Sequence, residues 1–116
     1  MKKLEYEKFK EHILEYYGNP KELSKEIRHY QATIPEASGG TIFSAIDTMC
    51  QYGCFDVYYR QVLDTLKDVY GDEYDESKYL TKNGEIRFKN NEAYCWTIYK
   101  AKIARTIYEM YTKGEL

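Results

Sequence analysis

Apolar residues recur along this chain at three- and four-residue spacing, the period of helices that bury one face. Tyr6, Phe9, Ile13, Tyr16 and Tyr17 form the first stripe, and Gly18 follows as a C-terminal stop. Asn19-Pro20 restarts the chain. Asn19 is a good N-cap, Pro20 suits the first helical position, and Glu22 stands three residues after the cap. Leu23, Ile27, Tyr30 and Ile34 give the second helix its stripe until Pro35 ends it.

Pro35-Glu36-Ala37-Ser38-Gly39-Gly40 reads as a loop. Ile42, Ile46, Met49 and Cys50 then predict a short third helix that weakens at Gly53. Phe55, Tyr59, Val62, Leu63, Leu66, Val69 and Tyr70 predict a fourth, stopped by Gly71. A single helix kinked at Gly53 is the alternative, since one glycine costs only about 1 kcal/mol in a helix. Asp72 to Lys78 is acidic and reads as a turn or one helical turn. In residues 79–88, Asn83-Gly84 between short alternating segments is a hairpin signal, because both residue types tolerate positive φ. Asn90 or Asn91 caps a last helix running to about Thr112, whose apolar residues cover more than one face.

These elements predict one domain over residues 1–116, all-α or mostly α with a small β-hairpin near 79–88. Four or five helices, mostly antiparallel, would form a compact bundle around the C-terminal one. Phe9, Ile13, Leu23, Ile27, Ile46, Leu63, Leu66, Trp96, Ile103 and Ile107 are the expected core.

Composition narrows the class. Charged residues are 31% and hydrophobic ones 43% of the chain, the balance of a globular protein. No apolar run reaches the roughly 20 residues of a membrane span. The first residues turn acidic at Glu5 rather than entering a signal-peptide core, and three cysteines make no disulfide framework. A cytoplasmic protein is expected. The net charge of −2 hides an asymmetry: residues 1–35 sum to +1, residues 36–76 to −7 and residues 77–113 to +5, and Glu115 completes the total.

No catalytic set, metal site or cofactor motif emerges, and a non-enzymatic protein is expected. Cys50 and Cys54 stand four residues apart, but no histidine lies at ligand spacing from them or from Cys95, so they read as small buried hydrophobes. His12 and His29 sit among charged residues and read as solvated. Ser38, Gly39, Gly40 and Thr41, at a helix start, could hold an anion on free N–H groups, or simply cap the helix.

Two surfaces carry partner hypotheses. Asp64, Asp68, Tyr70, Asp72, Glu73, Tyr74, Asp75 and Glu76 form an acidic, tyrosine-bearing stretch that could imitate a phosphate backbone and occupy a basic groove. The plain alternative is a solvated helix face. Arg87, Lys89, Lys100 and Arg105, interleaved with aromatics, offer a nucleic-acid surface as the second hypothesis. The 14 tyrosines matter to both, because each buried ring needs a partner for its hydroxyl. Tyr58, Tyr59, Tyr94, Tyr99, Tyr108 and Tyr111 exceed what one small core readily buries, which makes a homodimer possible.

Gly39-Gly40-Thr41 with Phe43 and Ala45-Ile46-Asp47, and Trp96 with Tyr99 and Ile103-Ala104-Arg105, resemble small uncharacterised proteins of phages and mobile elements of AT-rich bacteria. The resemblance implies a mostly helical fold and, as with anti-CRISPR-like proteins, action by binding a host protein such as a nucleic-acid-handling enzyme. Its motifs are packing motifs, and no catalytic residue comes with it.

Overall fold

The computed structural model describes residues 2–33, 41–52, 59–78, 82–83 and 92–116, with the backbone alone at 52, 59 and 92–98. Five helices account for most of them: α1 (Lys3–Tyr17), α2 (Pro20–Thr33), α3 (Ile42–Tyr52), α4 (Tyr59–Tyr70) and α5 (Glu92–Thr112). Two 3₁₀ turns, Gly71–Glu73 and Glu76–Lys78, follow α4. There is no strand among the described residues. Of the hairpin expected at 79–88, only Lys82 and Asn83 are described, in a turn, and the rest lies outside the described residues.

Local chemistry sets the helix ends. α1 stops at Gly18, whose φ of 87° suits glycine and whose N–H reaches the Leu14 carbonyl at 2.7 Å. Asn19 Oδ1 accepts the Glu22 N–H at 3.0 Å, so α2 begins one residue later with its proline. Thr41 caps α3, its Oγ1 accepting the Ser44 N–H at 3.1 Å. The end of α5 is a Schellman motif: Gly114 at φ 74° donates to the Tyr111 carbonyl, and Glu115 donates to that of Met110.

One hydrophobic cluster runs through all five helices. α5 packs against α1, α3 and α4, and α2 joins the bundle through α1 and α3. Nine of the ten expected core residues are buried, and the side chain of Trp96 lies outside the described residues. Tyr6, Ala45, Met49, Cys50, Val62, Val69, Tyr99, Ala104 and Met110 complete the cluster. Along α5, Ile103, Ala104, Thr106, Ile107 and Met110 are all buried, so the helix is enclosed on more than one side as its pattern predicts. Thr106 is accommodated there because its hydroxyl donates to the Lys102 carbonyl at 2.8 Å.

Candidate functional site

The acidic stretch divides into an inward and an outward part. Asp68 faces α1. Its carboxylate meets His12 Nε2 at 2.8 Å and Lys8 Nζ at 3.6 Å, and the His12 hydrogen bond is the main reason its pKa lies below the ordinary aspartate value. Tyr70 is half-buried. It packs edge-on to Phe9 with ring centres 6.3 Å apart and donates its hydroxyl to Glu5 Oε1 at 2.9 Å. Tyr74 is also half-buried against the core. These three residues serve the bundle.

The outward part consists of Asp72 and Glu73 on the first 3₁₀ turn, Glu76 on the second and Asp75 between them, all exposed. Asp75 Oδ1 accepts the Ser77 N–H at 3.1 Å and the Ser77 hydroxyl at 2.6 Å, which shapes the second turn. Asp72, Glu73 and Glu76 make no ion pair among the described residues. Asp64 is exposed one turn before Asp68, and its only ion pair among the described residues is with Arg60, at 3.5 Å.

The basic set is less well assembled. Lys100 Nζ donates to the Gln51 carbonyl at 3.3 Å and so covers one of the open carbonyls at the end of α3. Arg105 is exposed on α5, and Arg87 and Lys89 lie outside the described residues. The neighbouring Lys102 is spent on Glu5, at 2.8 Å. Ser38, Gly39 and Gly40 also lie outside the described residues, and Thr41 acts as the cap already noted.

Among the cysteines, Cys50 is a buried free thiol, while Cys54 and the Cys95 side chain lie outside the described residues. No group of three His, Cys, Asp or Glu side chains among the described residues could hold a metal ion. His29 is exposed, as expected, and its ring stacks edge-on against Tyr30. His12 departs from the expectation of a solvated position, because it bridges α1 to α4 through Asp68. Of the surplus tyrosines, Tyr99 is buried, Tyr108 is half-buried and edge-on to Phe43 at 5.3 Å, and Tyr111 is exposed. The side chains of Tyr58, Tyr59 and Tyr94 lie outside the described residues.

Sequence reasoning missed a cleft of about 390 Å³ between α1 and α4, floored by α5. His12, Glu15 and Tyr16 line one wall, Gln61, Asp64 and Thr65 the other, and Tyr99 the base. Burial, opposed by a hydrogen bond with Thr65, pushes the Tyr99 hydroxyl up to about 12. No local motif marks this cleft, because its residues come from three helices. Asp64 had been singled out for its charge, and His12, Tyr16 and Tyr99 for other reasons, but nothing in the sequence brought them together.

No helix among the described residues is long and apolar enough to cross a membrane. No family model, curated protein or solved structure matches the chain.

Proposed function

We propose that this chain acts by binding, as a phage or mobile-element inhibitor of a host nucleic-acid-handling protein, with Asp72, Glu73, Asp75 and Glu76 entering a basic groove of that partner. One observation carries the reading: three of these four carboxylates are exposed without an ion pair among the described residues. Their position works against the fold's own electrostatics. They follow directly on the carbonyl end of α4, where the helix dipole already concentrates negative charge and a cation would be favoured. An exposed array of carboxylates in such a place suits a surface built for phosphates.

The test is recovery of partners from a lysate of the host bacterium. Wild-type protein is compared with a variant carrying Asp72→Asn, Glu73→Gln, Asp75→Asn and Glu76→Gln. The expected outcome is a partner retained by the wild type, released by moderate salt, displaced by duplex DNA and lost by the variant. Equal recovery by both proteins removes the acidic turns from the interaction.

A further inference from the structure

We propose that the cleft between α1 and α4 seats one arginine side chain of the basic partner. The inference deepens the acidic-surface reading and rests on it for the nature of the partner. Charge complementarity is its first support. Glu15 and Asp64 are exposed on opposite walls, Glu15 makes no ion pair among the described residues, and Asp64 holds only the exposed Arg60. Such an exposed intrahelical pair is weak and is readily exchanged for a better cation.

Asp68 does not add to this charge, since Lys8 and His12 already engage it. The negative charge of the cleft therefore comes from two carboxylates, one on each of the helices that wall it. A planar guanidinium, with donors on both edges, can bridge such a pair, whereas a compact ammonium favours one side.

Shape and lining give the second support. The volume lies within the range of small-molecule sites and is ample for one long side chain. Tyr16, which lines the cleft, is 50% exposed and packs edge-on to Tyr17 with ring centres 5.1 Å apart, which leaves half of its surface open to a stacking guanidinium. Tyr99 at the base is only 4% exposed, and on the α4 wall the Thr65 hydroxyl donates to the Gln61 carbonyl at 3.0 Å. Asp64 precedes the end of α4 at Tyr70 by six residues, about 9 Å of helix, and the acidic turns follow there. The cleft thus stands at one end of the acidic face, where a partner lying on the turns would reach it.

The experiment is an NMR titration of the full chain with N-acetyl-arginine amide at about pH 8, where histidine is ordinarily neutral. N-acetyl-citrulline amide, its uncharged isostere, and N-acetyl-lysine amide are the controls. Saturable shifts of Tyr16, Gln61 and Thr65 are expected with arginine, weaker binding with lysine, and none with citrulline. Glu15→Gln with Asp64→Asn should weaken arginine binding about fivefold or more. Both residues are exposed, so the rest of the spectrum should report an intact fold.

Equal shifts with citrulline, equal affinity for lysine, or indifference to the double variant would each overturn the assignment. The two proposals fail separately. Arginine excluded from the cleft, with partner recovery still dependent on the four turn carboxylates, removes the cleft alone. Arginine bound in the cleft, with recovery indifferent to those carboxylates, removes the turns alone.

Discussion

Lys102 on α5 donates its Nζ to Glu5 Oε1 on α1 across 2.8 Å, although 97 residues separate them in the chain. The same oxygen accepts the Tyr70 hydroxyl from α4, so a single carboxylate ties three helices together. Burial alone would raise the Glu5 pKa, but the Lys102 and Tyr70 hydrogen bonds outweigh it and hold the carboxyl below the ordinary glutamate value.

Removing one member of this set should therefore cost more than an exposed ion pair would. Glu5→Gln should destabilise the protein by about 1–3 kcal/mol, because a neutral amide oxygen replaces the charged acceptor that the ammonium and the phenol share. Lys102→Met should cost a similar amount, and the double variant should cost less than the sum of the two. Urea unfolding monitored by circular dichroism measures all three. Strict additivity would mean that the contact contributes nothing.

Stability should fall at both ends of the pH scale. Glu5, Asp68 and Glu115 all have lowered pKa values in the fold. Their contribution is present above the unfolded carboxylate range and is lost as pH falls through the folded values. At the alkaline end, burial raises the Tyr6 and Tyr99 hydroxyls, and Tyr6 is held up further by its 2.6 Å hydrogen bond to Glu115. Native tyrosines then keep protons that unfolded ones release, so stability is lost as pH climbs past about 10. Thermal melts from pH 3 to pH 11 should give a plateau between two declines. Tyr6→Phe should lessen the alkaline decline.

Most of the helix map was legible because its signals are local. Gly18, Asn19 and Pro20 mark one boundary by chemistry that needs no tertiary context, and the observed φ and hydrogen bonds follow from it. Leu23 and Ile27 could be assigned to the core from spacing alone, whereas the roles of charged residues could not. Asp68 and Asp72 look alike in the sequence, yet one is bound by His12 and Lys8 and the other is open to solvent. That distinction depends on which helix lies opposite, and no period within α4 carries it. The cleft was illegible for the same reason, since Glu15 and Asp64 come to line one space only once α1 and α4 have packed.

The Schellman motif at Gly114 offers a prediction free of packing effects. A methyl group added there would meet nothing within 4 Å, so Gly114→Ala is opposed only by the backbone at φ 74°. The expected cost is about 1 kcal/mol, that of placing an ordinary residue in a left-handed conformation. Loosening this turn should also loosen Glu115 from Tyr6 and Lys10. An unchanged unfolding midpoint would show that the end of α5 frays before the bundle opens.

Phe9 tests how the core and the Glu5 junction are linked. Its ring is fully buried on α1 and supports Tyr70 edge-on, while Tyr70 in turn donates to Glu5. Phe9→Ala should cost about 3–5 kcal/mol, from lost burial and the cavity left beneath Tyr70. Phe9→Leu keeps most of the volume and should cost less than half of that. The more telling quantity is the coupling to Glu5→Gln. If the ring holds Tyr70 in position to donate, then removing Phe9 already weakens the Glu5 hydrogen bond, and the two changes together should cost less than their sum by at least about 0.5 kcal/mol. With Phe9→Leu the same cycle should be closer to additive, because Tyr70 keeps a supporting surface. Additivity within about 0.3 kcal/mol for the Ala cycle would mean that Tyr70 holds its place without Phe9. The junction would then be a polar tie laid over an independent core.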